Sequence, residues 1–215
     1  MRKGKRSSRD SIVHPSSPDQ ATSTWRVFCA IEMPDAVRTL VARHIQQLQS
    51  QLPDVAASWS RQEKIHLTLK FLGSIPGDRV EDISQAADLT IKAFAPFPIV
   101  LGGSGTFPKN GPPRVLWIGI NDSTGRLQEL HQQLEDECSR LGFEPEERPF
   151  NPHLTIARLR MPRGPRELAR AHLDLGFPSV EVLIRELSVY RSELGSGGSK
   201  YSVISTHKLS ESLES

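Results

Sequence analysis

Lys64 to Gly73, KIHLTLKFLG, alternates apolar and polar side chains, with Ile65, Leu67, Leu69 and Phe71 on one parity and His66, Thr68 and Lys70 on the other. A period of two marks a strand with one buried face. The stretch therefore predicts a strand that packs its four apolar residues into a core and presents His66, Thr68 and Lys70 on its other side. Its tripeptide His66-Leu67-Thr68 returns as His153-Leu154-Thr155, inside a second strand-like run from Pro152 to Arg160. With 7 His, 23 Leu and 9 Thr in 215 residues, chance supplies about 0.03 copies of His-Leu-Thr, so two copies constitute a motif. Their offset of 87 positions is too long for a solenoid repeat and suits two halves of one domain, each supplying one functional strand.

Outward from these runs the chain mixes strands and helices on an irregular beat. Trp25 to Ile31 is an apolar run, and Val37, Leu40, Val41, Ile45 and Leu48 follow at helical spacing. Gly73 and the Pro76-Gly77 turn end the first motif strand, after which Val80, Ile83, Ala87, Ile91 and Phe94 trace a helix. A Pro- and Gly-rich passage, 95–113, holds one strand-like piece at Phe97 to Leu101. Arg114 to Ile120 predicts a strand, and Leu127, Leu130, Leu134, Cys138 and Leu141 a helix that stops at Gly142. Beyond the second motif come a short helix near Arg166 to His172, one long strand from Val180 to Tyr190, a Gly/Ser loop from Ser192 to Ser199 and a last strand from Lys200 to Ser205. This pattern predicts an α+β fold with two largely antiparallel sheets and outer helices, its two lobes facing a central cleft. Residues 1–23, polar and rich in Ser, Lys and Arg, predict a disordered basic tail, 24–209 one domain, and 210–215 a polar tail.

Composition narrows the classes. A net charge of +2 with 24% charged residues leaves any attraction for polyanions to local patches. Lys and Arg crowd Met1 to Arg9, where phosphate contacts would be nonspecific. The two cysteines, Cys29 and Cys138, fall in apolar contexts and predict buried free thiols in a reducing compartment. No stretch has the ~18 apolar residues that would span a bilayer, and the basic N-terminus lacks the apolar segment of a secretory signal. A cytoplasmic protein with no membrane partner is the expectation.

Two imidazoles brought together make an acid and base pair, because an unperturbed pKa of ~6.5 lets one ring accept a proton while another donates one. Thr68 and Thr155, two positions after each His, share its strand face and can hold an anion between the rings. A phosphate diester fits: one His takes a proton from water, the hydroxyls hold nonbridging oxygens, and the other His protonates the departing oxygen. No metal or other cofactor enters this scheme. A metal site is the competing reading, but neither motif has Asp, Glu or Cys at ligand spacing. His14, His44, His131, His172 and His207 lack such company and read as bystanders.

The tetrapeptides His66-Leu67-Thr68-Leu69 and His153-Leu154-Thr155-Ile156 resemble the paired motifs of the two-histidine (2H) phosphoesterase superfamily. Their context resembles its RNA 2′,3′-cyclic phosphodiesterase branch, first named 2′-5′ RNA ligase. Arg26 to Ile31 (RVFCAI), Pro113 to Trp117 (PRVLW), Phe150 to Arg158 (FNPHLTIAR), Ser192 to Leu194 and Gly198 to Tyr201 carry the likeness, which runs from about Trp25 to Leu209. The resemblance implies a bilobal, pseudo-twofold fold and metal-independent hydrolysis of RNA 2′,3′-cyclic phosphate ends to 2′-phosphates, with reversible 2′-5′ ligation as a companion activity. It implies His66 as the proton donor to the leaving 3′ oxygen, His153 as the proton acceptor from water, and Thr68, Thr155 and Arg158 as phosphate binders. The partner it implies is RNA with a cyclic phosphate terminus, tRNA fragments among the choices, acted on by a monomer. Unbroken alternation turns Arg158 away from His153, so Arg158 reaches the cleft only through a bulge or at the strand's end. Phe28 is the expected ring for stacking a base, whereas alternation sends Phe71 to the core. Two other functions share the motif: a protein that holds RNA ends without turnover, and an enzyme for a small substrate such as ADP-ribose 1″,2″-cyclic phosphate.

Overall fold

The computed structural model describes residues 23–159, 164–195 and 198–210. The expectations for the basic tail, with its His14, and for the final residues after Ser210 lie outside them. The described chain runs β1 (Thr24–Glu32), α1 (Asp35–Gln51), β2 (Ala57–Trp59), β3 (His66–Pro76), α2 (Val80–Ile91), β4 (Phe97–Phe107), β5 (Val115–Asn121), α3 (Arg126–Arg140), β6 (His153–Leu159), α4 (Pro165–Leu175), β7 (Val180–Ile184), β8 (Glu186–Gly195) and β9 (Gly198–Lys208). Two sheets result, one in the order β3-β1-β8-β9 and the other β2-β6-β5-β4-β7, and every pairing is antiparallel. This is the expected α+β, bilobal architecture. Each sheet holds one motif strand, β3 at the edge of the first and β6 inside the second.

Amphipathic faces explain the assembly. Val37, Val41, Ile45 and Leu48 form the buried stripe of α1, and Leu127, Leu130, Leu134 and Cys138 that of α3. Helices α2 and α3 pack together, with α2 against β8 and β9 and α3 against β3, while α4 lies on β4 and meets α1. One contiguous apolar core joins the helices to both sheets and includes Leu67 and Leu154, the middle residues of the two motifs, at 1% and 0% exposure. Burial of such a leucine contributes about 1.5–3 kcal/mol, so each motif strand is held by the residue between its His and its Thr. His44 and His172 seal the α1–α4 contact: His172 donates from Nε2 to the Trp117 carbonyl at 3.0 Å, which leaves its Nδ1 to accept from His44 Nε2 at 3.0 Å.

Three elements depart from the sequence expectation. The long strand from Val180 to Tyr190 is two strands in different sheets, β7 beside β4 and β8 beside β1, separated at Arg185. The break follows the parity of the main apolar core, which takes Val182 and Ile184 at even positions and Leu187 and Val189 at odd ones, while Tyr190 joins a separate cluster with Phe28. Passage 95–113 yields an eleven-residue strand, β4, through its glycines. A Cβ on Gly105 would lie 2.0 Å from the Trp117 ring, so the glycine leaves room for an indole across the strand. Finally, the Gly/Ser stretch belongs mostly to β8 and β9, which pair as a hairpin out to Gly195 and Gly198. The short β2, paired with β6, had no expectation at all.

Candidate active site

The two motif strands meet at a cavity of about 290 Å³ lined by His66 and Thr68 from β3 and by His153 and Thr155 from β6. Both Phe71 and Arg158 line it too. Their presence has one backbone cause. Along β1, Cys29 stands opposite Lys70 and Ala30 opposite Thr68, so Leu69 is passed over. Along β5, Leu116 stands opposite Ala157 and Trp117 opposite Thr155, so Ile156 is passed over. Each motif strand therefore carries a bulge at the third residue after its histidine. The bulge puts two successive side chains on the core side and brings the fifth residue back to the histidine's face. Burial follows suit: Lys70 and Ala157 are 3% and 0% exposed, whereas Phe71 is 62% exposed and Arg158 is exposed as well.

This corrects the expected placements of two residues in β3. Phe71, expected in the core, faces the cleft. Lys70, expected beside His66, is buried, where its Nζ lies 2.6 Å from Glu135 Oε2 and donates to the Glu144 carbonyl at 3.0 Å. Glu135 Oε2 also accepts from the Glu146 backbone N–H at 3.1 Å, so the ion pair ties α3 and the segment after it beneath β3. Phe28, the expected stacking ring, is 2% exposed. It packs against His66 and Tyr190, with centroids 5.1 Å from each, and those two rings also meet each other at 6.2 Å. It packs against the histidine and borders a neighbouring cavity shared with Phe71 and Arg158.

Each imidazole is anchored by the carbonyl two residues before it. His153 donates from Nδ1 to the Asn151 carbonyl at 2.6 Å, which leaves Nε2 for chemistry. The ring of His66 bonds the Lys64 carbonyl in the same relation. Burial pushes the pKa of His66 down to about 4, opposed by the Lys64 carbonyl and by the charge of Glu32. Burial also lowers that of His153, opposed by the Asn151 carbonyl and assisted by the Arg158 cation. Both rings thus favour the neutral form at neutral pH, and an anion between them would draw protons onto them. Around them, Tyr201 meets His66 edge-on at 5.5 Å, and Phe107 meets His153 in the same way at 5.1 Å.

Sequence reasoning passed over Tyr201 and Lys64, both of which line the cavity, with Lys64 Nζ 5.6 Å from the Tyr201 centroid. Lys64 stands two positions before His66, and its parity was the available signal. Tyr201 had only its place in the Gly198 to Tyr201 stretch. His44, His131, His172 and His207 all lie away from this cavity. His131 stacks on Phe150 at 4.0 Å and His207 contacts Ser205 Oγ at 2.9 Å. Among the described residues no three His, Cys, Asp or Glu side chains are grouped to hold a metal ion, and no helix is long and apolar enough to cross a membrane.

Two histidines and two hydroxyls on opposed strands, each bulged at the third residue after its histidine, form an arrangement suited to a phosphate ester, and β3 carries a further register shift at Leu72. Comparison with known proteins agrees: a sequence model of the 2′-5′ RNA ligase superfamily matches residues 36–196. The chain is 32% identical over 179 residues to the RNA 2′,3′-cyclic phosphodiesterase of Thermotoga maritima, covering 83% of this chain and 92% of that protein. It is 32% identical over 187 residues to the protein of the same name from Methanothermobacter thermautotrophicus, covering 86% and 98%. Among solved structures, TT0787 of Thermus thermophilus superimposes with a TM-score of 0.70 at 26% identity, covering 86% of this chain and 97% of that one. E. coli LigT complexed with 3′-AMP shares the fold, with a TM-score of 0.68 at 23% identity over 88% of this chain and 100% of that one. The chain belongs to the 2′-5′ RNA ligase superfamily, within the 2H phosphoesterases, and is a hydrolase of the phosphodiesterase kind.

Proposed function

We propose that this chain hydrolyses 2′,3′-cyclic phosphate ends of RNA to 2′-phosphates, with His153 as base and His66 as acid. The observation that carries the reading is the matched pair of bulges, which gathers His66, Thr68, His153, Thr155 and Arg158 around one cavity. In the proposed step His153 Nε2 takes a proton from water as its oxygen bonds to phosphorus. The bond from phosphorus to O3′ breaks, and His66 gives its proton to O3′. The products are a 2′-phosphate and a free 3′-hydroxyl, and the two rings regain their starting states by proton exchange with solvent. Thr68 and Thr155 donate to the nonbridging oxygens as charge gathers there, and Arg158 pairs with the phosphate.

Burial is the larger cause at both rings and lowers both, His66 to about 4, so the proton that His66 gives must be drawn onto it by the bound phosphate. Against that background Glu32 favours the protonated form of His66, as an acid needs, while Arg158 disfavours protonation of His153, as a base needs. A 5′-hydroxyl in place of water would give a 2′-5′ linkage by the same route, which is the proposed ligation. The relatives' name, RNA 2′,3′-cyclic phosphodiesterase, supports RNA as the substrate. We assign Phe28 to the support of His66, and Phe71 as the ring offered to a base. The scheme includes no metal or cofactor and takes the chain as a cytoplasmic monomer acting on RNA ends such as those of tRNA fragments.

The test is an oligonucleotide ending in a 2′,3′-cyclic phosphate, with identification of the product isomer. A 2′-phosphate, resistant to a 3′-specific phosphatase, is expected, and a 3′-phosphate would exchange or remove the roles given to the histidines. His66→Ala and His153→Ala should each lower turnover by at least ~10²-fold, the double variant losing far less than the product of the two. An RNA-end binding protein would show tight binding with no turnover in the wild type.

A further inference from the structure

The catalytic cavity opens onto neighbours of opposite charge. On one side, sharing Phe71, Arg158, Ser199 and Tyr201 with it, lies a second cavity of about 310 Å³ whose wall continues to Arg26 and Ser192. On the other, sharing His66 and Tyr201, lies a smaller one of about 170 Å³ lined by Glu32 and Glu63. Arg26 stands opposite Ser192 on β8 and Ser74 on β3, and it is exposed. The concave side of the first sheet thus carries cations at one end and carboxylates at the other, with the histidine between them.

A cyclic phosphate closes the 3′ end of an RNA, so every remaining nucleotide must leave the site on the 5′ side as a polyanion. The acidic end offers it no cation: Arg38 already pairs with Glu32, and Glu63 stands exposed beside it. A third, larger groove of about 610 Å³ also borders Phe71, but Glu144, Glu146 and Glu147 line it. Its cations are engaged: Arg79 bonds Asp82 and the Leu141 carbonyl, and Arg148 pairs with Glu146 at 3.2 Å. Of these three neighbours, the Arg26 side joins a cation to continuity with Arg158 and a volume like that of the catalytic cavity itself.

Resting on the proposed function, we infer that the RNA strand runs from the histidines past Phe71 toward Arg26, and that Arg26 meets the phosphate of the next linkage on the 5′ side. Arg26 is then a substrate-length sensor. It adds nothing for a nucleoside 2′,3′-cyclic phosphate, which has no such linkage, and it favours any longer end.

The experiment compares kcat/KM on a nucleoside 2′,3′-cyclic phosphate and on a trinucleotide with the same end, for wild type, Arg26→Ala, Arg26→Lys and Glu63→Gln. Arg26→Ala should lower the trinucleotide value about 3- to 10-fold and leave the mononucleotide value unchanged, and Arg26→Lys should recover most of the loss. The salt dependence of the trinucleotide KM should fall by about 0.7 in logarithmic slope, as for one phosphate contact on a single strand. The mononucleotide rate reports whether the variant is folded. Equal losses on both substrates, no loss on either, or a length-dependent effect at Glu63 instead of Arg26 would overturn this path while leaving cyclic phosphate hydrolysis intact. A wild-type protein that turns over neither substrate would remove the proposed function and the path with it.

Discussion

Strands β3 and β6 share a backbone and differ in what it delivers. Both read His-Leu-Thr followed by an apolar residue, both bulge at that residue, and both anchor their imidazole on the carbonyl two positions earlier. At the fifth position one brings an aromatic ring, Phe71, and the other a cation, Arg158. At the fourth, one buries Lys70 in an ion pair and the other buries Ala157. A repeated motif thus keeps its local backbone while the side chains next to each histidine differ in size and charge.

The sharpest break of that comparison is to remove the two fifth-position groups separately. Arg158→Ala should cost about 10- to 100-fold in kcat/KM, on mononucleotide and longer substrates alike, because a charge-assisted contact to the reacting phosphate contributes about 1.5–3 kcal/mol. Phe71→Ala should act mainly through KM, raising it about 5- to 10-fold, because base stacking contributes about 1–3 kcal/mol and is felt before the chemical step. Steady-state kinetics of both variants decides this. Equal effects on kcat from the two would mean that the bulges deliver equivalent groups and that the asymmetry has no catalytic meaning.

That asymmetry was half legible in the sequence. In β6 the pair Ile156-Ala157 puts two apolar residues in succession after Thr155, which is how a bulge on a buried strand looks, and the polar Arg158 then reappears on the open face. In β3 the same position is Lys70, whose charge preserves an apparent alternation and hides the bulge. Its partner, Glu135, is 65 residues away, so no local pattern reveals that a lysine is buried there. The displaced Phe71 follows from that one concealed residue. The motif pair, the helices and the two-lobed α+β architecture rest on local periodicity and were legible. The break at Arg185 was written in the parity of Val182 and Ile184 against Leu187 and Val189, but it gains meaning only when two sheets compete for the chain.

Acid–base behaviour sharpens the comparison next. Burial holds both histidines below the ordinary imidazole value, His66 at about 4. Since kcat/KM reports the free protein, its pH profile should be a bell centred below pH ~6.5. The profile of kcat should lie at higher pH, because a bound phosphate anion favours the cationic form of each ring. The limbs belong to the pair as macroscopic constants. A kcat/KM that climbs through pH 9 without falling would leave no place for a histidine acid. The same depressed values, together with that of His44 at about 4, act on folding. A histidine neutral in the fold but protonated when unfolded gives stability that is complete above pH ~6.5 and is lost as the pH falls toward about 4. Thermal melts should therefore drop steadily across that window.

The smallest effect on turnover belongs to the fourth position, where β3 has Lys70 and β6 has Ala157. The Lys70–Glu135 pair is buried, with side chains 2% and 7% exposed, and it lies on the side of β3 away from the cleft. Its energetics follow the rule for buried ion pairs: the attraction roughly offsets desolvation, but a lone survivor carries an uncompensated charge. Glu135→Leu alone should therefore destabilise by about 3–5 kcal/mol, measured by urea unfolding, and Lys70→Met alone by a similar amount. The double variant, with two apolar side chains of similar volume, should return to within about 1 kcal/mol of wild type. Because Ala157 shows that the bulge forms without any charge at this position, the double variant should keep kcat/KM within about twofold. A folded double variant with a large loss of turnover would instead mean that the ion pair holds the β3 bulge, and through it His66, in a way that β6 achieves by packing alone.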